Sequence, residues 1–61
     1  MLTINETNLG PFATAQDARK VAEILRNQGY DVAYGYGNWE FDNDDDRAEF
    51  ENAIAAATEE L

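Results

Sequence analysis

The 61 residues predict an α+β domain in the order β-α-β-β-α, a three-stranded sheet with two helices on one of its faces. Three observations lead there. Two segments repeat apolar residues at i, i+3, i+4 and i+7, several short segments alternate apolar and polar residues, and a Gly-Asn pair sits between the last two of these.

In residues 2–6, LTINE, the alternation is that of a half-buried strand with Leu2 and Ile4 inward. Residues 7–12 follow as a loop around Gly10-Pro11, with Phe12 anchoring it to the core. Thr14, three residues before Asp17, is an N-cap with an acid in the first turn, where it meets the positive end of the helix dipole. The helix then runs to about Gln28 on an apolar stripe of Ala18, Val21, Ala22 and Leu25, with Ile24 at its edge. Gly29 ends it, and Tyr30 folds back on Leu25 as in a Schellman cap. Val32, Tyr34 and Tyr36 share one face of the second strand, Ala33 and Gly35 the other. Gly37-Asn38 predicts a two-residue hairpin turn, and Trp39 and Phe41 share a face of the return strand. Asp42 or Asn43 caps a last helix over residues 44–60, whose buried stripe is Phe50, Ala53, Ile54, Ala57 and Leu61. A right-handed crossover followed by a hairpin places both helices on one side of the sheet. The plan resembles a ferredoxin-like fold without its last strand.

The length allows one acidic α/β domain, residues 1–61, near the lower limit for folding without disulfides or metals. Hydrophobic residues make up 44% of the chain and include seven aromatics, enough for a core, and a stability of roughly 3–5 kcal/mol is expected. The absence of Cys excludes disulfides and thiolate metal sites and fits a reducing compartment. With no membrane-span-length apolar run and no signal-peptide pattern at the start, the expected location is the cytoplasm.

The net charge is −9, and it is unevenly placed. In residues 1–30 three acids balance three bases, whereas residues 31–61 hold ten carboxylates against Arg47 alone. Such a surface repels nucleic acids and anionic membranes and attracts basic proteins. The chain also lacks His and Ser, so the usual nucleophiles and neutral-pH bases are missing; no enzyme activity and no cofactor are expected.

The run Asp42-Asn43-Asp44-Asp45-Asp46 invites a calcium reading, but as an EF-hand loop it places Arg47 where Gly is required and Ala53 where a bidentate Glu is required. A dipole-favourable helix start accounts for it with local physics. Gly35-Tyr36-Gly37 lacks the following helix and Lys of a phosphate loop and is read as hairpin geometry. Tyr34, Tyr36 and Trp39 have two readings, as core or, in part, as an aromatic patch on the uncovered sheet face. On the last helix, with Phe50 central to the buried side, Glu49, Glu51 and Glu60 fall on the flanks, and Asp44, Asp45 and Glu59 fall outward among Ala48, Ala55 and Ala56.

Beginning with Met1, strongly acidic, 61 residues long and of two-helix α/β plan, the chain resembles the small acidic inhibitors encoded by bacteriophages and mobile elements, closest to the DNA-mimic anti-CRISPR class. The resemblance implies carboxylates standing in for phosphates in a basic DNA-binding groove, such as the site where a CRISPR surveillance complex reads its protospacer-adjacent motif. The partner would then be a basic nucleic-acid-binding protein or complex, met in the host cytoplasm if the chain is phage-encoded. The residues expected to bind are Glu40, Asp42, Asp44, Asp45, Asp46, Glu49 and Glu51, with Tyr36 and Trp39 as aromatic anchors. Three alternatives stay open: an acidic interaction or regulatory module, a halophile-adapted domain, against which the neutral first half stands, and a divalent-cation binder.

Overall fold

The computed structural model describes residues 1–9, 14–42 and 46–61. Its elements are β1 (Leu2–Asn5), a 3-10 helix (Glu6–Leu9), α1 (Ala15–Asn27), β2 (Val32–Gly35), β3 (Asn38–Phe41) and α2 (Arg47–Thr58). The sheet is antiparallel with strand order β1-β3-β2, so β1 and β2 run parallel on either side of β3. This is the expected α+β plan, with α1 as the crossover between the two outer strands.

α1 begins and ends as its sequence dictates. Thr14 Oγ1 accepts from the Asp17 N–H at 3.2 Å while Asp17 Oδ2 accepts from the Thr14 N–H at 3.1 Å, a reciprocal capping box. At the other end Gly29 takes φ 101°, and the N–H groups of Gly29 and Tyr30 donate to the carbonyls of Arg26 and Leu25, the two bonds of a Schellman motif. Ala18, Val21, Ala22 and Leu25 are all buried.

Strand pairing sorts the sheet into two faces. Leu2, Phe41 and Val32 stand in one row and Ile4, Trp39 and Tyr34 in another, and these rows face the helices. The rows between them, Thr3-Glu40-Ala33 and Asn5-Asn38-Gly35, make up the uncovered face. That face is polar and small, so among the described residues no aromatic patch lies on it. Trp39 is at the centre of the inner side: it has no exposure, and its indole N–H donates to the Ala18 carbonyl of α1 at 2.9 Å. Phe41 stacks on Phe50 of α2 with centroids 4.3 Å apart, which joins the second helix to the same core.

Four expectations are corrected. The hairpin turn is Tyr36-Gly37, one residue earlier than Gly37-Asn38: Gly35 pairs with Asn38, and Tyr36 (φ 53°) and Gly37 (φ 77°) are both left-handed, as a type I′ turn requires. Tyr36 therefore leaves the Val32 and Tyr34 face and is fully exposed. The last helix starts at Arg47, capped by Asp46, whose Oδ1 accepts from the Glu49 N–H at 3.1 Å, rather than being capped by Asp42 or Asn43. It ends at Thr58, so Leu61, one turn beyond Ala57, falls off the buried stripe and is exposed. The expected loop over 7–12 opens with the 3-10 helix, and its Gly10, Pro11 and Phe12 lie outside the described residues.

Two of the four cations close the sheet edges. The Asp42 N–H donates to the Asp31 carbonyl, and the antiparallel alternation then turns the Val32 and Thr3 carbonyls outward from the sheet. Arg26 donates to the first at 3.1 Å and Arg47 to the second at 3.3 Å.

Replacing Trp39 by Phe removes a buried hydrogen bond and leaves a void beside Ala18, and is expected to cost about 2 kcal/mol in urea denaturation. Tyr36→Asn, which restores the favoured Asn-Gly turn, is expected to raise stability by about 0.5–1 kcal/mol in the same measurement.

Candidate functional site

The hairpin register brings two acids face to face. With Val32 opposite Phe41, the next pair outward is Asp31 and Asp42, at the end of the sheet away from the turn. A hydrogen bond that the protonated Asp31 carboxyl makes to Asp42, the repulsion of the Asp42 charge and desolvation together raise Asp31 above its ordinary 3.8. Asp31 is exposed, and it stands at that position because the Schellman cap of α1 reverses the chain through Gly29 and Tyr30 just before β2 begins.

Beside this pair lies a cavity of about 320 Å³ between the end of α1, the end of β3 and the start of α2, lined by Gly29, Tyr30, Asp31, Phe41, Asp46, Glu49 and Phe50. Its wall is aromatic. Tyr30 meets Phe50 edge to face with centroids 6.0 Å apart, and Phe50 stacks on Phe41. Its rim is acidic, with Asp31 from one side and Asp46 and Glu49 from the first turn of α2 on the other. Among the described residues these carboxylates do not converge tightly enough to form a group of three able to hold a metal ion. A second depression, about 430 Å³ between α1 and the chain end, mixes Lys20 with Asp17, Glu23 and Glu60, so part of its charge is compensated.

The expected binding residues separate into distinct places. Asp42, Asp46 and Glu49 gather at the cavity end. Glu40 is exposed on the uncovered sheet face, between Thr3 and Ala33. Glu51 is partly buried and pairs with Arg47 one turn earlier, Oε1 to Nε 3.4 Å, so it is the least available of the described acids. Asp44 and Asp45 lie outside the described residues. Tyr36 is exposed at the turn, five residues along the strand or roughly 16 Å from Asp31 of the acidic pair. Trp39 does not belong to any binding surface: it is wholly buried because only there is its indole N–H satisfied by Ala18.

Comparison with known protein families, with curated proteins and with solved structures returns no match. Among the described residues no helix is long and apolar enough to cross a membrane.

Sequence reasoning missed Asp31 and the cavity role of Tyr30. The signal was the turn position: counting outward from Tyr36-Gly37 pairs Asp31 with Asp42, whereas counting from Gly37-Asn38 does not. A different acid, Glu6, accepts the Tyr34 hydroxyl, and this bond, with desolvation and the Glu6 charge, raises Tyr34 above its ordinary 10.0. Glu6 is thereby tied to the core side of the sheet, and its N–H donates to the Gly37 carbonyl of the turn at 2.9 Å.

Since Asp31 holds its proton more tightly in the folded chain than in the unfolded one, its stabilisation is complete below pH 3.8 and is lost as pH rises through the raised folded value. At neutral pH the pair is repulsive. Asp31→Asn is therefore expected to raise the melting temperature at pH ~7 and to leave it unchanged at pH ~3, as read by thermal denaturation at both.

Proposed function

We propose that the protein works by binding rather than catalysis, as an inhibitor that presents nucleic-acid-like charge to a basic DNA-binding surface and blocks it. The observation that supports this best is the like-charge pair Asp31 and Asp42, set beside Asp46 and Glu49 at one end of the sheet. A fold of this size has no stability reason to press acids together, and a cationic partner removes the repulsion it has left in place. Carboxylates on a helix turn lie ~5–6 Å apart, the scale of neighbouring phosphates, and pair strongly with Arg. Arg26 and Arg47 are turned to the sheet edges, and Arg47 also meets Glu51. A CRISPR effector complex, stopped at the step of reading its protospacer-adjacent motif, is one such target. The site of action would be the cytoplasm of the host cell.

The test is to immobilise the protein, pass a bacterial lysate over it, and elute with duplex DNA. Nucleic-acid-binding proteins are expected to be retained, to be displaced by the duplex, and to be lost from an Asp42→Lys, Glu49→Lys variant. Retention should fall steeply as salt is raised, since exposed charges are screened beyond about 8–10 Å at physiological ionic strength. Failure of DNA to displace the bound proteins, or unchanged capture by the variant, would overturn the reading.

A further inference from the structure

The cavity walled by Tyr30, Phe41 and Phe50 and rimmed by Asp31, Asp46 and Glu49 is, we propose, a receptor for one arginine side chain of the basic partner, an inference that rests on the binding reading above. Four features converge on that occupant. The volume, about 320 Å³, is at the small end of ligand sites and suits a single long side chain rather than a cofactor. The wall consists of stacked and edge-on rings, with Tyr30 only half-buried and so presenting part of its ring to the opening. A guanidinium lies flat on such a ring, through cation–π attraction and stacking, better than an ammonium does. Among the described residues the rim carries three exposed carboxylates and no cation, and these do not form a group able to hold a metal ion. That arrangement fits a planar group with five donors pointing in several directions and does not fit a compact ion.

Among the described residues Asp46 uses only Oδ1, to accept from the Glu49 N–H. Asp31 stands opposite Asp42, so an arriving cation relieves the repulsion between the two carboxylates. Phe41 (1% exposed) and Phe50 (7%) present little surface, so the guanidinium lies on the exposed part of Tyr30 and its donors reach the rim.

The experiment is a backbone-amide NMR titration of the isotope-labelled full chain with Nα-acetyl-arginine amide, run in parallel with Nα-acetyl-lysine amide and with potassium chloride at matched ionic strength. Saturable shifts are expected at Tyr30, Asp31, Phe41 and Phe50 with the arginine derivative, with the lysine derivative roughly tenfold weaker. The double variant Asp46→Asn, Glu49→Gln should bind the arginine derivative roughly tenfold more weakly while keeping α2, because Asn caps a helix as well as Asp. Glu40→Gln, on the uncovered face, should bind unchanged. The assignment is overturned if arginine and lysine derivatives bind alike, if the shifts track ionic strength without saturating, or if Glu40→Gln weakens binding as much as the double variant. Its failure is separable from that of the inhibitor reading. DNA-displaceable capture from lysate with no arginine-specific binding sinks the cavity alone; saturable arginine binding without such capture sinks the inhibitor reading and upholds the cavity.

Discussion

One hydrogen bond, from the Trp39 indole to the Ala18 carbonyl, sets the geometry on which everything else rests. A bond of 2.9 Å from a sheet side chain to a helix backbone requires the two elements to lie close, and Ala18 and Ala22 are small enough to allow it. With Trp39 held against α1, Phe41 two residues on must also face inward, where it stacks with Phe50 and draws α2 onto the same layer. The chain then leaves β3 at Asp42, opposite Asp31. Anchoring the largest side chain thus fixes which positions emerge at the strand end, and Asp31 and Asp42 occupy them.

Most of the fold was legible in the sequence because local signals agreed with one another. The Thr14 and Asp17 capping box, the Gly29 Schellman stop and the Ala18-Val21-Ala22-Leu25 stripe each reappear in the structure at the expected residues. The turn was harder, for a physical reason. A turn at Tyr36-Gly37 and one at Gly37-Asn38 keep the same alternation of inward residues, so the apolar pattern does not choose between them. The choice falls to burial: the observed register buries Val32 against the row of Phe41 and Leu2 and sends Tyr36 into solvent, at the cost of a left-handed conformation that Tyr dislikes. Asn38 offsets part of that cost by donating its side-chain amide to the Tyr36 carbonyl at 3.1 Å.

The candidate site was only half legible. Charge counting located the excess after residue 30, but charge carries no periodicity strong enough to say which acids meet. Asp46 and Glu49 line a cavity and Asp42 stands beside it opposite Asp31, whereas Glu40 and Glu51, read as their equals, are separated from it by the sheet plane and by an ion pair with Arg47. Asp31 and Tyr30 entered through the chain reversal at Gly29, a feature read as a helix stop and nothing more. Trp39 was doubly assigned because an aromatic on a strand fits an interface and a core alike until its polar atom finds a partner.

Arg26 and Arg47 give the two edge arginines a significance beyond their charge. An open three-stranded sheet offers two unpaired edges, each a template for strand addition by another copy. Here each edge carries a guanidinium seated on an outward carbonyl. In a chain with four cations against thirteen acids, placing two of them there protects against self-association along the strands, while the acidic excess keeps separate copies apart by repulsion. Mutational drift toward still greater acidity would meet a limit at these two positions, where the loss of one positive charge would expose an adhesive edge, and aggregation rather than unfolding would mark that limit.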